Sequence, residues 1–528
     1  MLESDLKLSL VSDLEEKIIL SSHENKIFEC EFFNNYCKKL FDVNFTINYQ
    51  NYNLLIELKE KKETFNINLN DIISYKNENE IDNEKVLKIK SQIPEDNLNN
   101  KQLFKITFIQ KCTKTKTNLL SCIFCCDCTC KKQYKEREIF VMYFLIKENI
   151  INEITSSLNY NPKLNELEPK NRKRKILAFI NPISGKGYAI SIWNKAKRIL
   201  LEAKLDITEK FTTKEKDAYE TVLNIGINDY DGIINCSGDG ILHEIINGIM
   251  HKKDRNIFLN RIIVSALPGG SANGFSKAIS DYCNEDNKVE THCYFIIKGI
   301  SKKIDLNEYE LKNYNNKIYS FLTLTWGFIA DCDLESENLR FLGMFRTTLI
   351  GIVRFFCFRK YFGSFYYLPK ESNVNINSIP SINDNINEDD YGLIKENDQY
   401  NFFIANNTKF VSETQMPNPL SVFDDGLIDI IYLKGSDSGK WILWNELTSY
   451  LDDGNKIIKD DNSFVEGVHY IQTKFWRLIP KSMLSDPDDV NNNISFNPYY
   501  SIDGERYNIC PVQCKVLEKI ISVYSGKE

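Results

Sequence analysis

Residues 237–248 read Ser-Gly-Asp-Gly-Ile-Leu-His-Glu-Ile-Ile-Asn-Gly, and they follow the apolar run Gly-Ile-Ile-Asn-Cys at 232–236. The run predicts a buried strand, and the apolar spacing from Ile241 onward predicts an amphipathic helix. We expect Gly238 and Gly240 to pass through positive φ and to let the backbone approach an anion, which a helix N-terminus also attracts. A carboxylate at such a site, Asp239, is suited to take a proton from a hydroxyl that attacks a phosphoryl group.

Two further segments repeat this order of strand, loop and helix. The apolar strand Lys175–Ile180 leads into Asn-Pro-Ile-Ser-Gly-Lys-Gly at 181–187, and the apolar run 261–267 leads into Pro-Gly-Gly-Ser-Ala-Asn-Gly at 268–274. A single Gly-Asp-Gly segment also fits an ordinary turn, but three such units in succession predict a parallel α/β sheet. All three loops would then lie at the carboxyl edge of the sheet, where ligands bind.

The loops contain neither a Walker A ending nor Gly-x-Gly-x-x-Gly, and together they resemble the catalytic domain shared by diacylglycerol, ceramide and sphingosine kinases. The set is most similar to sphingosine kinases. The similarity extends over residues 172–515 and includes Thr-Trp-Gly-Phe-Ile-Ala-Asp-Cys-Asp-Leu-Glu-Ser-Glu at 325–337 and Asp-Gly-Glu at 503–505. This resemblance implies an ATP-dependent lipid kinase in which Asp239 is the general base toward the lipid hydroxyl.

The resemblance also implies where the substrates lie. Small residues would let backbone amides surround the phosphates, hydroxyls and two arginines would contact them, and the last motif would close the site. The residues implied for the nucleotide are Asn181, Pro182, Ile183, Gly185, Thr212, Ser237, Gly238, Glu244, Gly270, Ser271, Ala272, Arg340, Arg346, Asp503, Gly504 and Glu505. Those implied for the lipid are Ser237, Gly238, Asp239, Gly240 and Asp333. Both arginines fall on a helical stretch, where a surface arginine without a role in binding is also common.

Two loop positions depart from the family pattern. Ser184 stands where the family usually has glycine, and its hydroxyl can still donate to a phosphate. Ala272 replaces the second glycine of the third loop, where a positive φ would cost alanine roughly 1 kcal/mol more than glycine. We therefore expect an altered geometry in the third loop.

Asp333 is the residue that distinguishes a sphingoid base from ceramide as the expected substrate. The resemblance to sphingosine kinases includes their Asp-x-Asp-hydrophobic-Glu sequence, whose second aspartate meets the head group, and ceramide kinases lack this aspartate. A carboxylate can pair with the protonated amine of a sphingoid base, whereas an unpaired buried carboxylate is costly. The acidic residues at 331, 333, 335 and 337 also fit a solvated helix start. Ceramide or diacylglycerol phosphorylation, a non-catalytic lipid-binding scaffold, and a soluble-substrate kinase such as an NAD kinase therefore remain as alternatives.

Residues 341–369 are rich in aromatic and aliphatic side chains, but no stretch reaches the roughly 18 apolar residues that a transmembrane helix needs. Helical spacing places four of them on one stripe, which fits either a core face or a lid over a lipid chain. The four are Leu349, Ile352, Val353 and Phe356.

The fold class predicted is α/β, in three regions. Residues 1–170 form a regulatory region, 171–300 the α/β nucleotide-binding domain, and 301–520 a predominantly β lipid-binding domain with mobile insertions at 371–399 and 452–462. The nucleotide is expected in the cleft between the last two. Predicted strands of the third region are 400–409, 427–433, 474–479 and 505–510.

The first region is expected to resemble a pleckstrin-homology domain, because several strands precede one amphipathic helix at 150–158. Its predicted strands are 52–58, 64–69, 85–89, 103–109 and 139–146. Five cysteines between residues 122 and 130, followed by lysines, fit an exposed loop without a special role, reversible palmitoylation, or zinc binding.

Composition limits the class of protein further. The net charge of −7 disfavours nonspecific nucleic-acid binding. The N-terminal residues lack a signal-peptide pattern, and with 15 cysteines this predicts reduced thiols in the cytoplasm. Because the chain has only five histidines, we expect no histidine-based metal site. The Mg²⁺ needed for phosphoryl transfer would arrive with ATP. We thus expect a cytoplasmic enzyme that associates peripherally with membranes, while its oligomeric state is unknown.

Overall fold

The computed structural model describes residues 26–34, 39–48, 53–59, 64–68, 71–93, 98, 101–117, 131–147, 150–152, 154–155, 173–312, 314–336, 339, 345–357, 359, 361–384, 386–435, 467–481 and 499–527. The chain divides into two compact units. The first comprises residues 1–173 with 199–204, and the second comprises 174–198 with 205–528. The mixed α/β fold agrees with the prediction.

A seven-stranded antiparallel sheet forms the first unit, in the order β4-β3-β2-β1-β7-β6-β5. Helical residues follow at 150–152 and 154–155, and Ile151 and Ile154 join the apolar cluster of the sheet that contains Phe104 and Phe144. This sheet and the helical residues agree with the predicted pleckstrin-homology-like region. The strands are β1 (Lys26–Asn34), β2 (Lys39–Asn48), β3 (Asn53–Leu58), β4 (Thr64–Asn68), β5 (Ile72–Asn77), β6 (Lys101–Thr117) and β7 (Lys131–Lys147).

One strand predicted in this unit is wrong. Residues 85–89 lie in helix α1 (Asn83–Lys90), whose N-terminus is capped by the Asp82 carboxylate. Val86 and Ile89 are buried, whereas Leu87 is 69% exposed. Buried positions three residues apart are helical spacing, which a run as short as Lys-Val-Leu-Lys-Ile does not distinguish from a strand.

Four parallel strands begin the second unit, in the order β11-β10-β8-β9. Three of them were predicted, and β9 was missed because its side chains are mostly half-exposed and carry no apolar run. The strands are β8 (Lys175–Ile180), β9 (Asp206–Phe211), β10 (Gly232–Ser237) and β11 (Ile263–Pro268). The helices are α2 (Tyr188–Glu202), α3 (Asp217–Asn224), α4 (Asp239–Met250), α5 (Arg255–Leu259), α6 (Gly274–Tyr282) and α7 (Val289–Lys298).

The rest of the second unit is predominantly β, as predicted, and its core is aromatic, including Trp326, Tyr400, Phe403 and Trp476. Its strands are β12 (Ser301–Leu311), β13 (Ile318–Ser320), β14 (Thr323–Gly327), β15 (Tyr361–Tyr367), β16 (Ile394–Asn406), β17 (Ile428–Lys434), β18 (Val468–Thr473), β19 (Phe475–Pro480), β20 (Tyr499–Ile502), β21 (Glu505–Asn508) and β22 (Val512–Tyr524). Its helices are α8 (Phe328–Glu335), α9 (Phe345–Phe356) and α10 (Glu388–Tyr391).

Strand β22 joins the two parts of this unit. It pairs in parallel with β11, where Ile263 lies opposite Ser522, and antiparallel with β12 and β19. The parallel strands and the β-rich part therefore belong to one continuous hydrogen-bonded sheet.

The segment predicted as an insertion at 371–399 is partly built into the fold. Residues 394–399 begin β16 and pair with β15, and Ile379 and Leu393 are buried in an apolar cluster with Leu368 and Phe475. The other predicted insertion, 452–462, and the cysteine cluster at 122–130 lie outside the described residues.

Candidate active site

The loops that follow β8, β10 and β11 meet at the carboxyl edge of the parallel strands. A Cβ placed on Gly185 would lie 2.8 Å from Gly269 O, and a Cβ on Gly270 would overlap Gly238 Cα. The loops therefore touch through their glycine backbones, as expected for a site in which main-chain amides face an anion. This edge brings together Asn181, Pro182, Ile183, Gly185, Thr212, Ser237, Gly238, Asp239, Gly240, Gly270, Ser271 and Ala272.

The predicted positive φ at Gly238 and Gly240 is wrong. Gly238 has φ −79° and ψ 179°, and Gly240 lies inside α4, which begins at Asp239 and not near Ile241. Space explains both glycines, because Gly238 contacts Gly270 and a Cβ on Gly240 would overlap Glu505 Oε1.

Asp239 is buried at the start of α4 and caps the next helix of the site. Its Oδ2 accepts a hydrogen bond from Gly274 N at 2.9 Å and its Oδ1 one from Phe275 N at 3.2 Å, both in the first turn of α6. Burial, together with the nearby Asp503 carboxylate, raises the pKa of Asp239 to about 6, and the two amides oppose this shift. The carboxylate is thus ionised near neutral pH yet basic enough to accept a proton.

The third loop takes its left-handed residue at Asn273, with φ 56°, whereas Ala272 has no positive φ. The expected cost at Ala272 is therefore absent. The Asn273 side chain accepts from Gly270 N at 2.7 Å and donates to Gly270 O at 3.0 Å, and asparagine tolerates this conformation better than most residues. Asn273 also donates to Glu413 Oε1 at 3.3 Å, which ties the loop to the β-rich part.

Ser184 joins the first two loops. Its hydroxyl oxygen accepts a hydrogen bond from Gly238 N at 3.2 Å. Because a hydroxyl has one proton to donate, that proton remains available to an acceptor other than Gly238. The contact with Gly238 was not predicted, because the position of Ser184 in the first loop gives no sign of it.

Helix α4 also holds the loop that carries Thr212. The backbone amide of Thr212 donates to Ile180 O at 2.9 Å, which places it beside the first loop. The Glu244 carboxylate accepts from the amides of Lys216 and Ala218 at the start of α3, at 3.0 and 3.1 Å. Burial raises the pKa of Glu244, and these amides oppose the shift. A role for Glu244 in the nucleotide site remains a prediction, since the structure shows it supporting α3.

At the other end of α3, the buried ammonium of Lys252 donates to the carbonyl oxygens of Val222, Leu223 and Ile225. An acid at the N-terminus and a base at the C-terminus match the dipole of α3. Glu244 lies on α4 and Lys252 lies two residues after its end, so α4 and the residues that follow it hold α3 at both ends.

The 503–505 turn lies between β20 and β21 and reaches the first turn of α4. The Asp503 carboxylate is fully buried and accepts from Ser320 Oγ at 2.6 Å, while His243 Nδ1 lies 2.8 Å away. Glu505 Oε1 lies against Gly240. His243 was not predicted, although its position four residues after Asp239 puts the two side chains on one face of α4.

Helix α8 carries the acidic residues of the Asp-x-Asp sequence. Arg359 Nη1 contacts Asp331 at 2.6 Å and Glu335 at 2.8 Å, and Arg354 Nε donates to Glu335 at 2.6 Å. Burial raises the pKa of Asp331, while Tyr361 and Arg359 oppose the shift. Asp331 is therefore not a solvated residue at a helix start.

Asp333, between these two acids, is half-buried and accepts a hydrogen bond from Ser501 Oγ at 2.7 Å. Ser501 lies on β20, the strand that leads into the 503–505 turn. Arg340 lies outside the described residues, and Arg346 lies on α9 with its side chain not described. Both arginines remain predictions.

An apolar cluster contains Cys332, the residue that precedes Asp333 on α8. Phe328 and Cys332 of α8 pack there with apolar residues of β16 and β17, and Phe355 of α9 packs against the cluster. On α9, the stripe of four predicted side chains is exposed, from 37% at Ile352 to 76% at Phe356. The core-face interpretation of that stripe is wrong for these residues.

Among the described residues, no group of three or more histidine, cysteine, aspartate or glutamate side chains is arranged to hold a metal ion. Within the same part of the chain, every helix is too short or too polar to cross a bilayer.

Comparisons with known proteins identify one matching family model and several similar proteins. Residues 175–309 match the family model of the diacylglycerol kinase catalytic domain. The chain therefore contains a diacylglycerol kinase catalytic domain at these residues. Sphingoid long chain base kinase 4 of Schizosaccharomyces pombe is 28% identical over 366 residues, covering 66% of this chain and 74% of that protein. Human sphingosine kinase 1 is 32% identical over 206 residues, covering 38% and 53%.

Sphingosine kinase 1 of Arabidopsis thaliana is 28% identical over 334 residues, which cover 60% of this chain and 66% of the plant protein. A solved structure of a diacylglycerol kinase from Bacillus anthracis aligns with 67% of this chain and 98% of its own, at 16% identity and a TM-score of 0.43. The matched domain contains the three glycine loops and Asp239, whereas Asp333 and the 503–505 turn lie beyond residue 309.

Proposed function

We propose that the protein transfers the γ-phosphoryl group of ATP to the primary hydroxyl of a sphingoid base, which for sphingosine gives sphingosine 1-phosphate. The observation that carries the proposal is the position of Asp239. It is a buried carboxylate at the meeting point of three glycine loops, with a pKa of about 6. The names of the relatives from yeast, plant and human support the same substrate class.

The chain's own residues would supply binding and proton transfer. Backbone amides of the loops at 181–185 and 237–240 would face the phosphates, together with the α4 N-terminus, whose dipole favours negative charge. Asp239 would accept the proton of the attacking lipid hydroxyl. Mg²⁺ bound to ATP would neutralise charge on the phosphates, as is usual in phosphoryl transfer. Arg340 and Arg346 keep their proposed role at the phosphates.

The substrate class rests on Asp333. Its half-buried carboxylate accepts a hydrogen bond from Ser501 Oγ on β20. Because the ammonium of a sphingoid base is a cation, it can pair with this half-buried carboxylate, and a neutral amide or ester cannot. β20 carries Ser501, the partner of Asp333, and continues into the turn that contacts α4 beside Asp239. One strand therefore connects the proposed head-group site at Asp333 with the proposed catalytic base.

The apolar chain of the lipid would lie against the cluster between α8, α9, β16 and β17. To admit it, α9 would move as a lid. The exposed apolar stripe on α9 would rest on a membrane surface while the lid is open, because an exposed apolar helix face next to basic side chains favours the interface of a bilayer. The proposal thus includes peripheral membrane association.

A side-by-side assay with radiolabelled ATP and sphingosine, ceramide or diacylglycerol tests the proposal. We expect phosphorylation of sphingosine at a rate well above that of the other two lipids, and none with Asp239→Asn. Faster phosphorylation of ceramide or diacylglycerol would establish the alternative kinase. ATP binding in calorimetry without any phosphorylated lipid would establish a scaffold.

A further inference from the structure

His243 connects two parts of the active site that are far apart in the sequence. It is buried on α4, one turn after Asp239, and its Nδ1 lies 2.8 Å from Asp503 Oδ2. Its Nε2 lies 2.9 Å from the Tyr507 hydroxyl on β21. Both ring nitrogens are therefore engaged by the same hairpin, β20 and β21, on either side of the 503–505 turn.

The direction of the first hydrogen bond follows from the surroundings of Asp503. The carboxylate oxygens of Asp503 accept hydrogen bonds from Ser320 Oγ and from the amides of Leu322 and Thr323, so Asp503 acts as an acceptor in this network. His243 Nδ1 must then carry the hydrogen and donate it. Asp503 also has φ 52°, a conformation that costs energy outside glycine and that surrounding bonds must hold.

The 503–505 turn, held in this way, lies against the first turn of α4, the helix that begins at Asp239. Glu505 Oε1 lies so close to Gly240 that a Cβ there would overlap it, and Gly240 directly follows Asp239. A displaced turn would therefore alter the space at the start of α4.

We propose that His243 is a positioning residue that fixes the Asp503-Gly504-Glu505 turn against the N-terminus of α4, and that ATP binding depends on this bond. The proposal rests on the proposed function, because it takes the nucleotide to lie between the glycine loops and this turn. His243 acts through the turn and does not touch the reacting atoms.

Substitutions of His243 and of its partner Tyr507 separate the two hydrogen bonds of the imidazole ring. His243→Asn keeps an N–H donor where Nδ1 stands and loses the contact with Tyr507. His243→Gln keeps a donor where Nε2 stands, and His243→Leu removes both. Tyr507→Phe removes only the hydroxyl. His251→Leu is the matched control, since His251 ends the same helix, contacts Tyr219 and Lys317 through both ring nitrogens, and lies at the end away from Asp239.

Each variant is compared with the wild type by calorimetry for ATP binding, by kcat and by KM for ATP and for sphingosine. We expect His243→Leu and His243→Gln to raise the Kd and KM for ATP about tenfold, the size of one lost hydrogen bond to a charged group. His243→Asn should restore most of the affinity, Tyr507→Phe should lose little, and His251→Leu should leave ATP affinity within about twofold of wild type.

Wild-type ATP affinity in His243→Leu would overturn the proposal, as would equal losses in His243→Asn and His243→Leu, or in His251→Leu and His243→Leu. If His243→Leu does not fold, the comparison of His243→Asn with His243→Gln decides in the same way. If the wild type binds ATP but phosphorylates no sphingoid base, the proposed function fails, and the ATP affinities still test the role of His243. If the wild type binds no ATP, both fail.

Discussion

The backbone amide of Gly274 lies 2.9 Å from Asp239 Oδ2, so the proposed catalytic base also caps helix α6. Asp239→Asn keeps an oxygen that can accept from this amide but removes the basic group. We expect the folded protein to bind ATP normally while kcat falls by about 10²–10⁴, the usual contribution of a general base. Single-turnover kinetics with sphingosine, together with calorimetry for ATP, measure the two effects. Near wild-type turnover in Asp239→Asn would show that another group takes the proton.

The pH dependence follows from the pKa of Asp239, which burial raises to about 6. The ionised form is the base, so kcat/KM should be level above this pH and fall about tenfold per unit below it. The folded state holds this proton more tightly than the unfolded chain, so ionisation costs stability at neutral pH, and the cost disappears as the pH falls below 6. The melting temperature of Asp239→Asn should exceed that of the wild type at pH 7.5, and this difference should shrink toward pH 4. A kcat/KM that stays level down to pH 4 would contradict the assignment.

Substrate choice should depend on the charge of Asp333. Asp333→Asn keeps the volume and a partner for Ser501 but deletes the charge, and we expect a loss of roughly 2–5 kcal/mol in sphingosine binding. The affinity for ATP and any activity toward ceramide should change much less. The measurement is KM for each lipid, with Glu335→Gln on the same helix as the control. Equal losses on sphingosine and ceramide would mean that Asp333 supports the pocket and does not recognise the amine.

Ser184 should contribute to nucleotide binding although it departs from the family pattern. Ser184→Ala removes the acceptor of Gly238 N and a hydroxyl donor beside the proposed phosphate site. We expect KM for ATP to rise by about two- to tenfold, in line with about 0.5–1.5 kcal/mol for one hydrogen bond. Ser280→Ala, a buried hydroxyl on α6 that donates to Lys277 O, serves as the control. Unchanged KM in Ser184→Ala would show that the hydroxyl serves only to join the loops.

Lys252 should matter for stability more than for catalysis. Lys252→Met leaves three carbonyl oxygens at the end of α3 without their ammonium donor, and we expect a loss of about 1–3 kcal/mol in the free energy of unfolding. The measurement is the urea concentration at the midpoint of unfolding, compared between proteins whose unfolding free energy depends equally on urea concentration. Lys253→Met, at the exposed neighbouring position, should change the midpoint little. Equal midpoints in the two variants would contradict the role of Lys252.

The meeting of the three glycine loops could be predicted because each loop is recognised from a local stretch of sequence. The strands that end at Ile180, Ser237 and Pro268 are continuous apolar runs, and each is followed directly by glycines. Parallel strands place their carboxyl ends together, so three local patterns were enough to bring the loops to one edge. The position of Asp239 among them follows in the same way.

The parts that could not be predicted depend on contacts between distant residues. The bond between His243 and Asp503 joins residues 260 positions apart, and no local pattern encodes it. The reason for glycine at 240 is likewise the side chain of Glu505, which only the folded chain brings near. Asn273 was visible in the third loop, but its left-handed φ was wrongly attributed to Ala272, because a single sequence does not show which residue of a turn takes that conformation.

The pairing of β22 with β11 has a consequence for how the protein is made. Ile263 lies opposite Ser522, so a ribosome must add more than 250 residues after β11 before its second neighbour, β22, is complete, whereas β10 precedes it. At synthesis rates of about 5–20 residues per second, this takes on the order of ten to fifty seconds. Throughout that time one edge of β11 has no permanent neighbour, and an open strand edge is a site of wrong pairing and aggregation. Nascent chains of this protein should therefore depend on chaperones until β22 has emerged.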